Sequence, residues 1–186
     1  MESFSDIDLI VFDFDETIAK LQVDWNALKS ELSNHFRERY GFDSLFSPLS
    51  PALSRLKEQH GERAKQEAYT IIENREIIGA ENQEPIVKTI ELIKHLKQDG
   101  KQLAIFSSNT RKVIEIGLNN IGLHDYFGMI IAREDVEKQK PDPEGLLKIL
   151  DKCKIPKERV IYIGDRETDR EAGNSAGINT IMVEEL

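Results

Sequence analysis

Short apolar runs alternate along this chain with stretches in which apolar positions recur every three or four residues. The runs at Ile7–Phe12, Gln102–Phe106, Met129–Ala132, Val160–Ile163 and Thr180–Val183 read as strands. Runs bounded by polar residues, with little inner alternation, suit strands buried on both faces, as inside a parallel sheet. Helical periodicity falls between the later runs. Ile86, Ile90, Ile93 and Lys97 make one stripe flanked by Val87 and Leu96, with Pro85 placed for the first turn and Gly100 just past the end. A second helix is predicted from Thr110 to Asn120, stopping at Gly122. A third follows Pro143 with Leu146, Leu147, Ile149 and Leu150 on its apolar face, and a fourth runs from near Glu167 to Gly177.

The stretch from Ile18 to Gln83 contains no convincing strand. Trp25, Leu28, Leu32, Phe36 and Tyr40 form a helical stripe ending at Gly41; Leu49, Leu53 and Leu56 suggest a second helix before Gly61; Ala64, Ala68, Ile71, Ile72 and Ile78 suggest a third, ending at Gly79. Between them, 42–51 reads as a loop. The expected fold is therefore α/β: a Rossmann-like three-layer core with a central parallel sheet of about five strands, and a small all-helical cap inserted after the first strand. The expected boundaries are 1–17 and 84–186 for the core and 18–83 for the cap. The cap begins just past the end of the first strand, placed to cover whatever that strand end carries.

Composition narrows the function. The formal net charge of −9 disfavours nucleic acid or an anionic membrane as the main partner. With Cys153 alone, neither an internal disulfide nor a cysteine zinc site can form, which fits a reducing cytoplasm. Met1–Asp8 has three acids and no basic residue, unlike a signal peptide, and no apolar run approaches the roughly 18 residues of a membrane span. The expectation is a soluble, cytoplasmic protein, a monomer or homodimer. His35, His60, His95 and His124 show no ligand spacing, and Cys153 reads as packing.

Polar residues gather where strands end. Asp13 and Asp15 follow the first strand; two apart, they suit nucleophile-plus-acid work or a hard cation such as Mg²⁺, and equally an ordinary helix cap. Ser107, Ser108 and Asn109 follow the second strand and offer hydroxyls, an amide and the free N–H groups of a helix start, suited to a phosphate or to plain capping. Lys140, in Lys138-Gln-Lys-Pro-Asp-Pro143, is an oriented point charge or a surface lysine. Asp165 and Asp169 in Gly164-Asp-Arg-Glu-Thr-Asp169 share a face if a helix starts there, as cation ligands or as dipole-favoured acids. An EF-hand fails in both acidic stretches, because its sixth position would be Ile18 or Arg170 rather than glycine. Each signal has an ordinary structural reading. Together they fall at the carboxyl ends of predicted strands, where open α/β sheets bind ligands.

These residues resemble the haloacid dehalogenase-like superfamily of aspartate-nucleophile phosphotransferases, phosphoglycolate phosphatase-like and C1-capped. Asp13-Phe-Asp15-Glu-Thr17 is similar to its first motif, DxDxT; Ser107 to the second, with Ser108 the other register; Lys140-Pro-Asp-Pro to the third; Gly164-Asp165-Arg-Glu-Thr-Asp169 to the fourth, GDxxxD. The resemblance implies a Mg²⁺-dependent phosphatase of a small phosphorylated metabolite. Asp13 would be the nucleophile and Asp15 the acid–base, its main-chain carbonyl facing the metal. Asp165 would be the principal ligand, with Asp169 ligating or positioning from further out. Lys140, Ser107, Ser108 and Asn109 would hold the phosphoryl oxygens. A phosphomutase of the same chemistry and a catalytically silent binding protein are the alternatives. One departure stands out: the usual glycine between Asp15 and Thr17 is Glu16, which adds bulk and negative charge beside the cap. Cap candidates for substrate contact are Trp25, Arg37, Arg39, Arg55 and Arg75, against the commoner reading of core packing for Trp25 and solvated faces for the arginines.

Overall fold

The computed structural model describes residues 4–186; the first three residues of the segment weighed against a signal peptide lie outside them. The elements run β1 (Leu9–Phe12), β2 (Ala19–Lys20), α1 (Trp25–Tyr40), α2 (Leu49–Glu81), β3 (Glu84–Pro85), α3 (Val87–Gln98), β4 (Gln102–Phe106), α4 (Arg111–Asn120), β5 (Met129–Ile131), α5 (Glu144–Cys153), β6 (Val160–Gly164), α6 (Glu167–Ala176) and β7 (Asn179–Met182), joined in places by single 3₁₀ turns. Two compact units result: the residues up to Leu21 with Ala80–Leu186, and Gln22–Gly79.

In the first unit β5, β4, β1, β6 and β7 lie side by side in that order, every pair parallel. Because side chains alternate across a sheet, each strand serves two cores. Leu9 and Val11 of β1, Ala104 and Phe106 of β4, and Val160 and Tyr162 of β6 pack with Leu146 and Ile149 of α5 and Ala172 and Ala176 of α6. The intervening Ile10, Phe12, Leu103, Ile105 and Ile163 are buried as well, on the side where α3 and α4 bury Ile93, Leu96, Val113, Ile114 and Leu118. Burial on both faces is why these strands carry unbroken apolar runs. The predicted parallel α/β core is the one observed. Its order leads from β1 outward in both directions, which makes the carboxyl end of β1 a topological switch point.

Three details differ from the sequence reading, the first being that α2 begins at Leu49, inside the stretch 42–51 read as a loop. Ala19–Lys20, inside the stretch read as strandless, pairs antiparallel with Glu84–Pro85, so Pro85 sits in a ribbon instead of opening α3. Strands of two residues leave no period to detect. The helix that was expected to stop at Gly79 continues to Glu81. Gly79 answers a close approach: a Cβ there would stand 2.6 Å from Val23 Cγ2 and 3.3 Å from the Gln22 carbonyl.

The second unit is wholly helical. The Asp24 side chain caps α1 by accepting the N–H groups of Asn26 and Ala27, and Gly41 (φ 65°) closes it in the left-handed conformation. α2 breaks at Gly61 (φ 83°, ψ 177°). Leu28, Leu32, Phe36, Phe42, Phe46, Leu56 and Ile72 are among its buried core, with Trp25 partly buried against it. Arg37, Arg39 and Arg75 pair with Asp43, Glu67 and Glu31, and Arg55 donates to Ser44. Among the described residues no helix is long and apolar enough to cross a membrane.

Candidate active site at the end of β1

Asp13 leaves β1 with its N–H donating to the Ile163 carbonyl of β6 (2.8 Å). It continues the parity of Leu9 and Val11 and so faces the α5–α6 side. The loop before α5 brings Lys140 to the same place. The buried Lys140 ammonium lies 3.0 Å from Asp13 Oδ2, 2.5 Å from Asp169 Oδ1 and 3.0 Å from the Tyr162 hydroxyl. That loop is fastened by Glu144 in the first turn of α5, which accepts the N–H groups of Glu137 and Lys138 (both 3.0 Å) and pairs with Lys148.

Asp169 is fully buried in the first turn of α6. Its Oδ1 takes Lys140 and Tyr162; its Oδ2 accepts the N–H groups of Asp165 (3.2 Å) and Arg166 (2.9 Å). The carboxylate thus shapes the turn that presents Asp165. Carboxylate oxygens of Asp13, Asp165 and Asp169 lie within 4.8 Å of one another. Thr17 Oγ1 donates to Asp165 Oδ1 (3.4 Å), tying the loop after β1 to the loop after β6. Asp15 turns its carboxylate to the Leu21 N–H (2.9 Å) and is not in that trio.

Crowding of acids in a desolvated place has the expected electrical result. Burial pushes the Asp13 carboxyl up, outweighing the pull of Lys140. Burial also lifts Asp15 to about 7, against the opposing Leu21 N–H. Asp165 rises to about 6 through burial and the Asp13 charge. For Lys140, burial favours the neutral amine, but Asp13 and Asp169 outweigh it and raise its pKa. Asp169 is disfavoured as an anion by burial, yet Lys140 and the N–H donors hold its pKa low.

The cluster fits a divalent cation on one further observation: Asp13 Oδ1 is buried and has no hydrogen-bond partner. A carboxylate oxygen left so is costly, and a hard cation shared with Asp165 would satisfy it. Asp169, counted among the ligands in the sequence, already has two donors on each oxygen.

Ser107 closes β4, the strand beside β1, with its N–H on the Ile131 carbonyl (3.1 Å). It and Asn109 are buried and joined to each other: Ser107 Oγ donates to Asn109 Oδ1 (3.1 Å) and accepts the Asn109 N–H (3.3 Å). Ser108 is partly exposed. Its carbonyl accepts Arg133 Nε (2.6 Å), and the Asn109 carbonyl accepts the Arg133 N–H (2.9 Å). Sequence reasoning missed Arg133, Glu144 and Tyr162. Only Tyr162 left a trace, a hydroxyl in the otherwise aliphatic Val160–Ile163 run. Cys153, partly buried beside the α5 core, has its thiol pKa raised by burial, as suits packing.

The geometry is that of a buried carboxylate backed by an ammonium and flanked by acids. The chain matches the haloacid dehalogenase-like hydrolases over residues 10–183, and it belongs to that family. The pyrophosphatase PpaX of Halalkalibacterium halodurans is 28% identical over 180 residues, 96% of this chain and 84% of that one. A haloacid dehalogenase-like hydrolase from Bacteroides fragilis superimposes with a TM-score of 0.71 at 28% identity, over 94% of this chain and 86% of that one. A phosphoglycolate phosphatase fold from Lactobacillus plantarum does so with a TM-score of 0.69 at 20% identity, over 95% and 86%. The expected enzyme class, a phosphatase of this family, agrees with these relatives.

Proposed function

We propose that the protein is a Mg²⁺-dependent, cytoplasmic phosphatase of small phosphorylated metabolites that works through an aspartyl-phosphate. The observation that carries this is the state of Asp13: one oxygen held by Lys140, the other buried without a partner among Asp165 and Asp169. An Asp13 oxygen attacks phosphorus and the ester P–O bond breaks. Asp15, lifted to about 7, gives its proton to the leaving oxygen. Asp15 then takes a proton from the water that attacks the aspartyl-phosphate, releasing inorganic phosphate and restoring Asp13. Lys140, Ser107, Ser108 and Asn109 hold the phosphoryl oxygens. Asp13, Asp165 and the Asp15 carbonyl would hold Mg²⁺, with Asp169 positioning from behind. When bound, that ion offsets the repulsion between an anionic attacker and an anionic substrate.

The core 1–17 with 84–186 carries the chemistry in this reading, and the helical insert 18–83 selects the substrate. The name of the Halalkalibacterium relative makes inorganic pyrophosphate the first natural compound to assay. The test is phosphate release from p-nitrophenyl phosphate and from pyrophosphate with Mg²⁺. Activity should vanish on chelation and in Asp13→Asn; activity persisting in Asp13→Asn rejects the reading.

A further inference from the structure

Tyr162 belongs to none of the four motif stretches, yet its hydroxyl touches both Lys140 and Asp169. An ammonium has three N–H donors. The Lys140 ammonium has three oxygens around it: Asp13 Oδ2, Asp169 Oδ1 and the Tyr162 hydroxyl. Two are charged and the third is neutral. Tyr162 can spend its own hydrogen on Asp169 Oδ1 (2.8 Å) or on the Phe106 carbonyl (3.3 Å), which leaves oxygen lone pairs for Lys140. Burial, with the Asp13 and Asp169 charges, raises its pKa well above the usual phenol range, so it stays a neutral hydroxyl. The Phe106 and Tyr162 rings flank the ammonium at 5.5 and 5.8 Å.

We infer that Tyr162 is a positioning residue: its hydroxyl, together with Asp169, sets the direction in which Lys140 faces Asp13. The inference rests on the proposed phosphatase reaction. A phosphoryl oxygen arriving at Asp13 must draw one N–H from an ammonium whose three donors are in use. With two of them fixed by Asp169 and Tyr162, the remaining N–H is the one aimed at Asp13. Tyr162 is suited to this because it stands on β6, hydrogen-bonded between β1 and β7, so its acceptor is placed by the sheet and not by a loop. Without the hydroxyl, the ammonium has one unsatisfied donor and can turn toward Asp13 or the aromatic faces.

The alternative is that the hydroxyl only satisfies its own burial, as buried tyrosines do. The experiment is a double-mutant cycle in the full chain with Mg²⁺. Tyr162→Phe keeps the ring and its packing. The affinity for orthovanadate, a phosphate-like anion, is measured by titration calorimetry, alongside kcat and KM for p-nitrophenyl phosphate. In the otherwise native chain, Tyr162→Phe should weaken vanadate binding and lower kcat each about tenfold, the order of one lost hydrogen bond. In a Lys140→Ala background the same change should alter vanadate affinity less than about twofold, because coupling through the removed ammonium is gone. No effect in the native background overturns the inference, and so does an equal loss in both backgrounds, the mark of a structural role or of poor folding. Asp13→Asn is carried alongside: if it abolishes turnover while the cycle shows no coupling, only the role of Tyr162 fails; if it does not, the phosphatase reading itself falls.

Discussion

The Asp169 carboxyl group occupies the space where a side chain at Gly164 would stand. A Cβ on residue 164 would lie 2.5 Å from Asp169 Cγ and 2.7 Å from Oδ2. Residue 164 shares the face of Val160 and Tyr162, so the gap it leaves admits Asp169 beneath the end of β6. That buried carboxylate in turn carries Lys140, Tyr162 and the N–H groups of Asp165 and Arg166.

Gly164→Ala should therefore push Asp169 away and disturb all four contacts together. The expected cost is about 1–3 kcal/mol, the usual range for overpacking a full site. Catalysis should fall more steeply than stability, because Lys140 loses its strongest anchor. Urea unfolding and phosphate release on the same preparation separate the two effects.

Glu16 occupies a left-handed backbone conformation, φ 60°. A side chain there costs about 1–2 kcal/mol, and its half-exposed ion pair with Lys20 at 3.8 Å offsets little. Glu16→Gly removes the strain but adds unfolded-chain freedom, about 0.5–1 kcal/mol in the other direction. The balance should raise the melting temperature by about 2 °C. With one negative charge fewer beside Asp15, activity on pyrophosphate should rise relative to p-nitrophenyl phosphate. A fixed activity ratio would show that Glu16 does not govern substrate charge.

Asp15→Asn should separate the two halves of the reaction. Nitrophenolate leaves without a proton, so rapid mixing should show a burst of nitrophenolate equivalent to the enzyme, then slow turnover. An alkyl phosphate needs the proton and should show no burst, with its rate down by about 10²–10⁴. Equal first-turnover rates for the two substrates would remove Asp15 from the role of acid.

Glu144 supplies the pH dependence. Lys148, pairing with it, and the Lys138 N–H lower its pKa to about 2, against an ordinary value of 4.5. A depressed carboxyl contributes its stability in full above the unfolded value and loses it as pH falls. The melting-temperature gap between the native chain and Glu144→Gln should thus be constant above about pH 5 and close between about pH 4.5 and 2. A gap unchanged over that window would mean that the loop before Lys140 is held by something else.

The sheet and the helix ends were legible because their causes are local. β1, β4 and β6 are buried on both faces and so carry apolar runs. Gly41, Gly122 and Gly177 end helices where φ is 65°, 69° and 71°. Gly79 looked the same in sequence, but its cause is contact with Gln22 and Val23, which periodicity cannot register. The site was legible as far as parallel strands force their carboxyl ends together. What was hidden is cross-chain fit: Asp169 entering the gap at Gly164, Glu144 fastening the Lys140 loop, and a tyrosine whose hydroxyl reaches under the neighbouring strand.

β1 lies in the middle of the sheet, between β4 and β6, although the ribosome makes it before either. A nascent chain halted before Val160 would hold Asp13 with no Asp165 or Asp169 to work beside, and one edge of β1 open to strangers. Synthesis of the last strands is thus what both closes the sheet and arms the enzyme. Turnover from a stalled-chain series should stay silent until α6 has emerged, making hydrolysis a direct clock for completion of the fold.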